Sequence, residues 1–131
     1  MELHLKIIGV LLMLLGSVHV IFPRYFNWKK ELKILSLINR QMMKTHTFFI
    51  ALTVFLIGLM SYSLNEDLVL TKLGQRICLG IGLFWTIRGG VQFLGYSPKL
   101  WKGKLFETVV HVVFSGFCLY LSFVYLTIGL V

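Results

Sequence analysis

Four apolar stretches, each long enough to cross a lipid bilayer, alternate along this chain with short segments that hold most of its charge. A spanning helix needs about 20 mainly apolar residues. Residues 5–22, 45–63, 73–96 and 105–131 meet that requirement. Short connections between successive spans favour alternating directions. The expected fold is therefore all-α, a single domain of four transmembrane helices in an up-down-up-down bundle. Composition supports this: 57% of the 131 residues are hydrophobic and only 14% charged, where soluble domains carry about 25% charged residues. A water-soluble domain of this length could not hide so much apolar surface.

The segment between the first two spans has its own pattern. Trp28, Leu32, Leu35, Ile38 and Met42 recur at helical spacing against Lys29, Lys30, Lys33 and Arg40. That pattern predicts an amphipathic helix lying in the membrane interface, with Trp28 and Trp101 anchoring their loops at headgroup level. The second connection, residues 64–72, reads as a polar turn around Asn65, Glu66 and Asp67. The third, residues 97–104, is opened by Pro98. The first apolar run leads into Pro23, Arg24, Tyr25 and Phe26 rather than a small-residue cleavage site, so it is expected to be retained.

The net charge of +8 is placed asymmetrically. Arg24, Lys29, Lys30, Lys33, Arg40, Lys44, Lys99, Lys102 and Lys104 fall on the side of the first and third connections, against Lys6, Lys72 and Arg76 on the other. Basic loops stay cytoplasmic. This places both termini outside, in what reads as a bacterial inner membrane. Anionic headgroups account for such bases, so nucleic acid is not an expected partner. The expected partners are the bilayer and either a second copy or a larger membrane complex. Cys78 and Cys118 lack the spacing of a zinc or redox pair and read as buried thiols. A faint internal repeat is also visible: Pro23, Trp28 and His46 follow the first span much as Pro98, Trp101 and His111 follow the third.

Ionisable groups inside spans are costly unless paired or hydrated, which makes each a site hypothesis. The set is His19, His46, Arg88, Gln92, Glu107 and His111. All fall near the cytoplasmic ends of their spans, roughly 5 to 12 Å from the interface at 1.5 Å per residue. Arg88 and Gln92 are i, i+4 neighbours, as are Glu107 and His111.

Three chemistries suit this set. His19, His46, Glu107 and His111 are the ligand types of a zinc or iron site, with Arg88 and Gln92 as supporting groups. His46 and His111, on helices that run the same way, could instead ligate a b-type haem. In that respect the chain is superficially similar to diagonal bis-histidine membrane cytochromes. Third, Arg88 and the histidines could receive an anionic headgroup, a quinone oxygen or a small anion, with Glu107 and His111 relaying protons. The expected function is a redox or metal-dependent membrane reaction at a cytoplasm-proximal pocket. The alternative is an accessory subunit of a membrane complex or a small homo-oligomeric transporter, in which the polar layer is packing or a proton path.

Overall fold

The computed structural model describes residues 1–100 and 102–131. Trp101, expected to be an interfacial anchor, lies outside them. The chain is all-α in the described residues: α1 Glu2–Val18, α2 Phe22–Tyr25, α3 Trp28–Glu31, α4 Leu37–Ser63, α5 Asn65–Leu70, α6 Lys72–Leu94 and α7 Leu105–Gly129, with 3₁₀ turns at Leu32–Ile34 and Pro98–Leu100. Three helices are long and apolar enough to cross a membrane: α4 with 27 residues, α6 with 23 and α7 with 25. No more than 33% of the most apolar stretch of any of them is buried inside the fold. Surface of that kind requires contact with lipid rather than water.

The helix at the first apolar run is shorter than expected. α1 has 17 residues and stops at Val18, not Phe22. Pro23 is the cause. It has no N–H to give the carbonyl of His19, and its ring would collide with that carbonyl in a continuous helix. The chain turns through residues 19–21 and resumes as the four-residue α2.

The expected amphipathic helix is likewise not one element. Asn27 takes the left-handed conformation at φ 53°, which interrupts the run before α3. Ser36 then caps α4, its hydroxyl accepting from the Asn39 N–H at 3.4 Å. Trp28 and Leu32 are buried as the pattern implied, whereas Ile38 and Met42 sit exposed on the opening turns of α4. α4 consequently begins two turns before residue 45. The polar turn after it is also ordered as helix, in α5. Thr71 closes α5 and opens α6, its hydroxyl donating to the Asp67 carbonyl at 2.7 Å and accepting from the Gly74 N–H at 2.9 Å.

The chain forms two compact units, Leu3–Asn65 and Glu66–Val131, with Met1 and Glu2 grouped with the second. In the first, α1 and α4 approach closely along glycine. A Cβ on Gly9 would stand 2.7 Å from the Gly58 carbonyl and 2.8 Å from Tyr62, and one on Gly16 would stand 2.8 Å from the Ala51 carbonyl. Small residues allow helix backbones to meet where no hydrophobic force favours one apolar face over another. The second unit packs α6 on α7 by the same means. A Cβ on Gly82 would strike Leu126, and one on Gly129 would lie 2.6 Å from the Leu79 backbone.

Buried positions in both units recur every three or four residues. Cys78, Gly82, Trp85, Gly89 and Gln92 of α6 are buried, as are Ser115, Cys118, Ser122, Tyr125 and Gly129 of α7. This is the spacing of a helix seam packed knobs into holes. The seam hydroxyls satisfy themselves within their own helix, Ser115 donating to the His111 carbonyl at 2.7 Å and Ser122 to the Cys118 carbonyl at 2.8 Å. Such bonds let polar side chains sit inside an apolar pair.

Candidate functional site

At one end of the α6·α7 seam the small residues give way to polar ones. α6 reaches Arg88, Gly89 and Gln92 there, and α7 begins with Glu107 and His111. The Gln92 Nε2 amide donates to His111 Nδ1 at 3.0 Å, and its Oε1 accepts from the Arg88 guanidinium at 3.3 Å. One amide orientation satisfies both bonds. A carboxamide nitrogen can only donate, so Nδ1 accepts and the neutral ring carries its proton on Nε2. Gln92 is thus a bridge: it ties the two helices together and fixes the tautomer of the histidine.

Arg88 is held by more than Gln92. Its guanidinium carbon lies 4.9 Å from the centre of the Phe114 ring and 5.6 Å from that of Tyr96. Both distances are within the range of cation–π attraction. Side chains on a helix lean toward its N-terminus by default. Arg88 instead extends toward Gln92 and Tyr96, at the end of α6 that leads into Pro98 and the basic connection. That is how a long cationic side chain within an apolar span carries its charge toward the interface. Among the described residues no carboxylate pairs with it, and its hydrogen-bond partner is Gln92.

Glu107 occupies the first turn of α7, where a negative charge is favoured by the helix dipole. It lies one turn from His111 as the spacing predicted. The ring of His111, however, is engaged by Gln92 and stacks edge-on to Phe93 at 5.7 Å. One further polar group belongs to this seam. Trp85 precedes Arg88 by three residues, on the same face of α6. It is 3% exposed, and its indole N–H has no hydrogen-bond partner among the described residues.

His19 and His46 belong to the other unit. The Nδ1–H of His19 donates to the Leu15 carbonyl at 2.7 Å, and its ring rests on Phe22 at 4.6 Å. His46 is exposed, whereas the next residue, Thr47, turns partly inward. Of the expected site residues, therefore, Arg88, Gln92 and His111 form one bonded cluster. Among the described residues, no three His, Cys, Asp or Glu side chains gather closely enough to hold a metal ion.

Phe114, Trp85 and Tyr96 were not among the expected site residues. Only the placement of Phe114 one turn beyond His111 hinted at its part in holding Arg88.

Comparison of the chain with family models, curated proteins and solved structures finds no match.

Proposed function

We propose that this chain is a four-span membrane protein that binds the anionic headgroup of an amphiphile at Arg88, on the cytoplasmic side of the bilayer. α1 serves as the fourth span. At 17 residues it reaches the lower end of the spanning range of roughly 17 to 25, and Lys6 can extend its charge to the near interface. The basic loops face the cytoplasm and both termini face outward.

The observation that carries the binding assignment is Arg88. It is a cation within a candidate span, set between two aromatic rings and bonded to an amide instead of a carboxylate. A charge in that setting is costly until an anion meets it. The guanidinium fork suits a phosphate or carboxylate group, and Lys99, Lys102 and Lys104 enrich anionic lipid around the same end of the helix.

The metal or haem alternative rests on ligand types alone. His111 in its bonded tautomer carries a proton on Nε2, so it would have to break from Gln92 and change tautomer to coordinate through that atom.

Native mass spectrometry of detergent-purified protein titrated with phosphatidylglycerol and phosphatidylcholine tests the proposal. The wild type should retain phosphatidylglycerol selectively, and Arg88→Gln should weaken that retention about tenfold or more, the value of roughly 1.5 to 3 kcal/mol for a charged hydrogen bond. Equal retention of both lipids, or unchanged retention in Arg88→Gln, would refute it. Elemental analysis and a visible spectrum on the same sample report any stoichiometric metal or haem, which would favour the alternative.

A further inference from the structure

The two units repeat one another in more than their loops. A single constant shift in numbering carries the buried residues Leu5, Gly9, Leu12 and Gly16 of α1 onto Cys78, Gly82, Trp85 and Gly89 of α6, every one of them buried. The same shift aligns Ile8 with Ile81, Val18 with Val91 and Trp28 with Trp101. A second constant shift carries Val54, Gly58 and Ser61 of α4 onto Cys118, Ser122 and Tyr125 of α7, again all buried. It also carries Asn65, which ends the first unit, onto buried Gly129. Two helices in each unit therefore share both a seam and a register.

The repeat changes which residues correspond. Loop motifs had set His46 beside His111, but the seam sets His111 beside Thr47, and both of these are half-buried. His46 falls one residue off the seam, beside Val110, and both of those are exposed. By the shift that aligns α1 with α6, Leu15 corresponds to Arg88 and His19, just past the end of α1, to Gln92. Each of these pairs is joined four residues apart, His19 through the Leu15 carbonyl at 2.7 Å and Gln92 through the Arg88 guanidinium at 3.3 Å.

We infer that the chain is a tandem copy of one helical hairpin carrying the same polar position twice, and that the residue at Leu15 and Arg88 determines which copy accepts an anion. The second copy holds arginine and binds the headgroup. The first keeps polar residues, His19 and Thr47, at the positions of Gln92 and His111, but it lacks the charge and has Pro23 and Ile50 where the second has the Tyr96 and Phe114 rings. This rests on the headgroup reading of Arg88 given above.

Exchange of the two residues tests it. Phosphatidylglycerol retention is counted per chain by native mass spectrometry, with helicity and monodispersity followed for each protein. The wild type should hold one selectively retained lipid and Arg88→Leu none. Leu15→Arg in the wild type should raise the count to two, and the Leu15→Arg/Arg88→Leu double variant should restore one. A double variant that folds and binds none would overturn the inference while leaving the assignment of Arg88 intact. A wild type that retains no phosphatidylglycerol selectively would overturn the headgroup reading and this inference with it. Failure of the Leu15→Arg proteins to fold would also count against equivalence, since a true counterpart position accepts the residue its partner carries.

Discussion

Gln92 carries the most consequence per atom in the polar cluster, because its amide oxygen and nitrogen serve different helices. Gln92→Leu removes both bonds at once and leaves the His111 ring nitrogen and one guanidinium N–H without the partners they now have. The expected cost is about 1 to 3 kcal/mol, read as a lowered unfolding midpoint in detergent. An unchanged midpoint would mean that the bridge is not formed. Trp85 makes the opposite case. Its indole N–H is buried without an acceptor among the described residues, so Trp85→Phe sacrifices no hydrogen bond to them and removes a donor whose burial is unfavourable. The unfolding midpoint of lipid-free Trp85→Phe should match or exceed that of the wild type, and a large drop would reveal a partner for the N–H. The sequence showed Arg88 and Gln92 as neighbours because i, i+4 spacing on a helix is local geometry. It could not show Gln92 meeting His111, or Arg88 lying over Phe114, because those contacts depend on the register of one helix against another.

Helix position along the chain was legible wherever an apolar run ended in a capping or breaking residue. The end of α4 at Ser63 and the starts of α6 and α7 fall within a residue of the expected span boundaries. The departures have local causes: Pro23 shortens α1, Asn27 and Ser36 divide the amphipathic pattern, and Thr71 lets a polar turn become helix. The packing of those helices is carried by glycine, which yields a sharp contrast between positions. A methyl at Gly9 meets backbone on the partner helix, which has no rotamer by which to retreat, whereas one at Gly80, Gly90 or Gly116 meets nothing within 4 Å. Gly9→Ala should destabilise the protein by about 1 to 3 kcal/mol, the usual cost of overpacking. Gly90→Ala should be neutral or stabilising by up to about 1 kcal/mol through helix propensity. Unfolding of the two variants side by side in one detergent would show the difference, and equal midpoints would place the seam elsewhere. The apolar runs alone marked residues as span-forming but did not distinguish seam glycines from lipid-facing ones, since both sit among the same neighbours in sequence.

At the scale of the molecule, the physical constraint is length. At 1.5 Å per residue α4, α6 and α7 extend roughly 35 to 40 Å, longer than a hydrocarbon core of about 30 Å and suited to tilted crossing. α1, at roughly 25 Å, is the helix on which the four-span architecture turns. Cys78 and Cys118 are fully buried, so in the folded protein neither should react with maleimide until denaturant is added. That silence makes the wild-type chain a background for introduced cysteines. The most direct measurement is side-specific maleimide labelling of single cysteines placed at Lys30, Glu66 and Lys102 in intact spheroplasts, compared with inverted membrane vesicles. If all four helices cross, positions 30 and 102 should label only from the cytoplasmic side and position 66 only from the outside. Labelling of 30 and 66 from the same side would mean that α4 does not cross. Labelling of position 2, added as an N-terminal Glu2→Cys probe, from the same side as 30 would mean that α1 lies along the membrane instead of spanning it, and would contradict the four-span fold.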